Sequence, residues 1–338
     1  MLYVEVPIET KKKGAIAMTK KIYSSEYEDI IGQFEMSDKP NDEFNPKEDT
    51  FKNLVKYALK KSFPDFNFRT LTETNEGKAD YKEWKSVKKA EKKRLPKEER
   101  KNFEEPTKTL YLMNRLEDNG FIERYVEYFR NPCVKKDADF DKWHHETCQL
   151  FLEILNGRCN GLGKGVKIYK NLCYGKAQKI VNMMFKHLYC LKVDEAYQKY
   201  FTHCHMTLDN FTLEWFKRFV CCQRTGSWSN LVYEDNPNAI SNNSKCYQYY
   251  QSKTRKYFEK SEVKEKYGGM TPFQAEFFIW PEIQLHMAAE AFLFEMDPDT
   301  YKGQQSKEEI LTMPMNKLIS EVEHAIDKYN RNLLKIVG

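Results

Sequence analysis

Residues 172–191 read LCYGKAQKIVNMMFKHLYCL, and this stretch decides the fold. Ala177, Ile180, Val181, Met184, Phe185, Leu188 and Leu191 recur three and four residues apart, the spacing of one helix face. The other side carries Lys179, Asn182 and Lys186, with Lys176 in the first turn and Met183, Tyr189 and Cys190 beside them. Gly175 stands just before the helix, where backbone N–H groups without helical partners attract anions. The spacing therefore predicts a helix with one face in a core. Its basic side, with Lys176, Lys179, Asn182 and Lys186, is expected to meet phosphate.

The segment that follows, 203–219, reads HCHMTLDNFTLEWFKRF. Leu208, Phe211, Trp215, Phe216 and Phe219 form a second helical face, and Asp209 stands at its start. An Asp there caps the helix, and it is also a candidate general base or electrostatic stabiliser.

Taken together, 172–219 present a glycine, a helix carrying Lys, a polar turn and an Asp opening an aromatic-rich helix. In that order they resemble the helix–hairpin–helix DNA glycosylases. Leu172-Cys173-Tyr174-Gly175 stands where that family carries Leu-Pro-Gly-hydrophobic-Gly. The resemblance implies a Lys that attacks the sugar carbon as an amine, here Lys179. It also implies an Asp that assists departure of the base, here Asp209. The Gly-Lys-Ala-Gln-Lys…Asn-Met and Cys-His…Asp segments also resemble those of an uncharacterised bacterial protein family, which implies no activity.

Working outward, the other segments also read as helices. Phe51, Leu54, Val55 and Leu59 predict one over 50–62, ended by Pro64. Two more fall between Leu110 and Phe129, broken at Asp118-Asn119-Gly120, and another covers 139–156. Thr271-Pro272-Phe273-Gln274 and Ser306-Lys307-Glu308-Glu309 are capping boxes. Val4, Val6 and Ile8 alternate with polar or Pro positions and hint at a short strand. The expected fold is mainly α: a multi-helix globular core over 109–338 and a smaller, mixed α/β N-terminal part over 1–108.

Within that N-terminal part, 82–101 (KEWKSVKKAEKKRLPKEERK) holds ten Lys or Arg against four Glu, as an exposed helix or a linker. Lys88, Lys89, Lys92, Lys93 and Arg94 are its candidate phosphate contacts. Tyr247, Tyr250, Tyr257 and Phe258, among Lys and Arg at 247–258, suit either base stacking or packing.

The whole chain is only mildly basic, with 55 Lys and Arg against 50 Asp and Glu, so global charge points weakly to any partner. Nine Cys, an odd number without CxxC spacing, and no apparent leader predict reduced thiols and a cytoplasmic protein. No apolar run approaches the ~20 residues needed to span a bilayer, so no membrane partner is expected. His144, His145 and Cys148, with His203, Cys204 and His205, offer donors that suit zinc. Their spacings do not chelate, so no metal ligand and no cofactor is assigned. Gly161-Leu162-Gly163-Lys164-Gly165 lacks the Ser or Thr of a nucleotide loop. Three functions follow: a DNA- or RNA-binding protein, with Lys179 and Asp209 at its centre if it is an enzyme; a protein-interaction module; and a metal-dependent enzyme.

Overall fold

The computed structural model describes residues 40–296 and 309–327, apart from 67, 132–133, 158–164, 192, 194, 222–225, 237–239, 241–242, 311–312 and 315–316. The segment 4–8, most of the glycine-dense loop and the start of the second capping box lie outside the described residues.

Helices account for the described fold. The longer ones are α1 Phe51–Ser62, α2 Asn75–Arg94, α3 Lys108–Asp118, α4 Phe121–Arg130, α5 Asp137–Leu155, α6 Tyr174–Tyr189, α7 Asn210–Trp215, α8 Tyr247–Phe258, α9 Ser261–Lys266 and α10 Pro272–Met296. A further helical stretch covers 317–327. Among the described residues extended pairing is limited to isolated bridges, such as Glu73 with Tyr169. The mainly α expectation holds.

Local chemistry sets the helix ends. α1 closes on Lys60 and Lys61, whose charges oppose the partial negative charge of the helix end. Gly120, at φ 79°, lets the chain turn from α3 into α4, a conformation that costs other residues energy. Thr271 and Gln274 cap α10 reciprocally, at 3.3 Å from Gln274 N to Thr271 Oγ1 and 3.1 Å from Thr271 N to Gln274 Oε1. Pro281 lies within α10 and does not end it.

One apolar core runs from Phe51 to Ile283. α6 lies at its centre, packed on α1 and α5. Tyr125 of α4 meets Trp143 edge-on at 5.2 Å and Phe185 of α6 at 5.2 Å. Full burial of such a side chain contributes about 1.5–3 kcal/mol. α1 shares this core with the helices after residue 109. A smaller cluster of Leu293, Ile310, Leu318 and Ala325 forms towards the C-terminus. Among the described residues, no helix is long and apolar enough to cross a membrane.

The basic run takes its helical form up to Arg94, where Leu95 turns extended before Pro96. Thr74 caps α2 by accepting from Gly77 N at 2.9 Å. Asp80, bound by Arg115 and the Tyr111 hydroxyl, ties α2 to α3. Trp84 adds an edge contact to Tyr111 at 5.5 Å.

Candidate functional sites

The outer surface of α2 carries the first candidate. At about 100° per residue, Lys78, Lys82, Lys85, Lys89, Lys92 and Lys93 fall within an arc of about 100° and span about 22 Å. Glu76, Asp80, Glu83 and Glu91 point the opposite way by the same geometry. Lys78, Lys82, Lys89 and Lys93 are exposed, and none has an ion pair among the described residues. Lys92 reaches Glu105. Lys88 lies off this face and pairs with Glu91 at 2.7 Å, and Arg94 points away from it. Of the five expected phosphate contacts on this helix, Lys89, Lys92 and Lys93 share one face.

The second candidate is the polar side of α6. Here the expected exposed basic face is corrected: Lys176, Asn182 and Lys186 are buried, each with a protein partner. Lys176 donates to Phe66 O at 3.1 Å and to Thr70 Oγ1 at 2.6 Å. Burial, together with the neighbouring Lys179 charge, pushes its pKa down. Asn182 donates to Gln178 Oε1 and to the Tyr247 hydroxyl, both at 3.0 Å. Lys186 pairs with Glu276 at 3.0 Å, and burial pushes the Glu276 carboxyl up against the pull of that ammonium.

The physical reason lies in the segment 205–208, which runs through the interior without helical hydrogen bonds. Buried backbone groups need partners, and polar side chains supply them. Gln178 donates to Leu208 O at 2.8 Å, Glu276 accepts from Thr207 N at 2.8 Å, and Gln251 donates to Met206 O at 2.9 Å. Gln178, Asn182 and Lys186, four residues apart, line the side of α6 that faces this segment. The α6 N-terminus is covered as well: Gly175 N donates to Leu231 O at 3.1 Å, and a Cβ on Gly175 would collide with the Trp228 carbonyl.

Lys179 and Asp209 do meet. Lys179 Nζ lies 3.6 Å from Asp209 Oδ2, with each side chain 12% exposed. Asp209 also caps α7, its Oδ1 accepting from Phe211 N at 2.9 Å and Thr212 N at 3.1 Å. Its Oδ2 accepts from Trp280 Nε1 at 3.3 Å, and the Lys179 ammonium stands 4.9 Å from the Trp228 ring centre. The carboxylate thus combines the capping role with an ion pair, between two indoles.

The third candidate brings together two histidines 61 residues apart in sequence. His144 and His205 have ring centres 4.5 Å apart, and Cys148 lies 3.8 Å from His144. His203 turns away to Asp137 at 2.6 Å, and His145 stacks on Tyr233 at 3.5 Å. Among the described residues, no three His, Cys, Asp or Glu side chains are placed to hold a metal ion. A hydrogen-bond chain forms instead. His205 Nε2 meets Asp141 Oδ1 at 2.6 Å, and its Nδ1 meets the Tyr247 hydroxyl at 2.8 Å. Arg255 grips both Asp141 oxygens, at 2.9 and 2.8 Å. Burial alone would raise the Asp141 pKa, but the His205 and Arg255 hydrogen bonds hold it well below the usual carboxylate range. Burial pushes His205 down despite Asp141. The neutral ring therefore donates from Nε2 to the carboxylate and accepts the Tyr247 O–H at Nδ1.

Asp141, Glu276, Gln178 and Arg255 carry much of this arrangement, and sequence reasoning did not single them out. Polar residues four apart on a helix that also has an apolar face gave the only signal, and for Asn182 and Lys186 it was read as a side that meets phosphate. Tyr247, Tyr250 and Phe258 take the packing role. Among known proteins, no family model, no curated protein and no solved structure matches this chain.

Proposed function

We propose that the chain binds nucleic acid through the lysine face of α2. The observation that carries this reading is the sorting of charge: six lysines, of which Lys92 is paired, on one side over about 22 Å, with the four carboxylates, Lys88 and Arg94 off that side. A solvated helix with mixed charge gains nothing from such sorting, whereas a phosphate backbone rewards it by releasing condensed counterions. The face is made of lysine ammonium groups, with one planar amide, Asn75, at its N-terminal end, so the binding is largely independent of sequence.

The test is anisotropy of labelled single- and double-stranded DNA and RNA from 50 to 200 mM salt. The comparison is with Lys82→Ala/Lys89→Ala/Lys93→Ala. For duplex DNA the salt slope is expected to fall by about 0.9 for each phosphate contact removed. Equal slopes in the two proteins, or no binding at low salt, reject the reading.

The 3.6 Å approach of Lys179 to Asp209 favours a second reading, the base-releasing activity implied by the resemblance to the glycosylases. Attack on a sugar carbon requires Lys179 to leave Asp209 and lose its proton. Borohydride reduction in the presence of an abasic-site duplex traps an amine–sugar adduct. The wild type is expected to form it and Lys179→Gln is not; a wild type that forms none removes this reading and leaves the first intact.

A further inference from the structure

We propose that the cavity beside His205 binds a small organic cation, an alkylammonium or guanidinium group. The cavity holds about 400 Å3 between α5, the loop at 233–235 and α8. That volume lies within the range of small-molecule pockets.

Hydrogen-bonding capacity decides the class of ligand. The strong donors in the wall are spent within the wall. Each Arg255 nitrogen faces a carboxylate, Nε on Asp137 at 3.2 Å and the other two on Asp141. The His205 N–H and the Tyr247 O–H are engaged in the chain described above. Among the described residues that line the cavity, an anion finds no free cation.

Acceptors remain. Gln251 is 4% exposed, and its amide nitrogen is used on Met206 O. Its Oε1 has no hydrogen-bond partner among the described residues, yet the side chain lines the cavity. Glu234 and Asp235 stand at the rim and have no ion pair among the described residues. Glu234 gives one oxygen to Asn236 N at 3.1 Å, which leaves the other. Gln248 holds the Glu234 backbone, donating to its O at 2.7 Å and accepting from its N at 3.1 Å, so this part of the loop is fixed before a ligand arrives. Asp141 and Arg255 cancel one another, so the lining keeps two further negative charges, Glu234 and Asp235, and the buried Gln251 amide. The Tyr233 ring, one face of which is stacked on His145, also lines the cavity and adds an aromatic surface for a cation. A ligand with several N–H donors and a positive charge satisfies all of these groups.

Such a group can belong to a free amine or to an Arg side chain of a peptide. Calorimetry at low salt with agmatine and with N-acetylarginine amide distinguishes them. Tighter agmatine binding indicates a free amine, tighter binding of the amide indicates a side chain, and either supports the site. Glu234→Gln/Asp235→Asn changes only the rim and is expected to weaken the better probe about tenfold or more, with unchanged circular dichroism. Three results overturn the proposal: neither probe binding to folded wild type, equal affinity in the double variant, or inorganic phosphate binding in the cavity in place of the cations.

Discussion

α2 and α6 both carry a lysine-bearing polar stripe, yet one wears its lysines outside and the other inside. On α2, Lys78, Lys82, Lys89 and Lys93 meet solvent. On α6, Lys176 and Lys186 are 2% and 6% exposed and hold specific partners. The difference lies in what surrounds each helix. α2 lies on the edge of the body and is tied mainly to α3. α6 is packed on α1 and α5, and its remaining side meets a buried segment with backbone groups to satisfy. A lysine stripe beside an apolar face thus has two meanings, and only the tertiary surroundings choose between them.

The sharpest way to break this comparison is to remove a partner inside. Glu276→Ala leaves the Lys186 ammonium buried and Thr207 N without its acceptor. The expected loss is about 3–5 kcal/mol, read from urea unfolding. Glu276→Leu with Lys186→Met removes both charges and is expected to recover most of it, apart from the lost Thr207 bond. If Glu276→Ala costs less than about 1 kcal/mol, the pair behaves like a surface ion pair and the distinction between the two helices fails.

Much of the fold was legible because periodicity reports burial directly. The apolar faces of α1, α4 and α6, the break at Gly120 and the Thr271 cap all follow from local spacing. The sites were legible only where the chemistry is local. Asp209 opens a helix, so its capping role can be read from its place in the chain. Its ion pair with Lys179 spans thirty positions and rests on a resemblance in order. The Asp141–His205–Tyr247 chain joins three distant segments, and no spacing encodes it. The inward turn of Lys186 was hidden for the same reason: its partner Glu276 lies ninety residues away and itself accepts from Thr207 N in the buried segment.

His187, on α6 next to Lys186, extends the comparison to pH. Burial, with Lys186 and Lys61 nearby, pushes its pKa down to about 4 from a model-peptide value of 6.5. The folded chain thus prefers the neutral ring. The resulting stability is fully present above pH 6.5 and declines as pH falls from 6.5 towards 4, because the unfolded chain takes up the proton first. The ring is not fully enclosed, so the expected loss is about 2 kcal/mol. Urea unfolding at pH 7.5 and 4.5 measures it, with His187→Gln expected to show a shallower decline. Equal slopes would show that α6 does not hold this ring neutral.

The smallest expected effect is on α2, and its smallness is the point. Lys82→Ala/Lys89→Ala/Lys93→Ala removes three charges that have no carboxylate partner among the described residues. Ala also favours the helix slightly more than Lys does. Unfolding free energy should therefore change by less than about 0.5 kcal/mol, or rise. The same substitutions are expected to lower the salt slope of nucleic-acid binding. An unchanged stability with a lowered slope means that the lysines act on a partner and not on the fold. A loss of about 2 kcal/mol or more would instead place them in contacts that hold α2 to the body, and the charge sorting would then serve the fold, as the charges of α6 do.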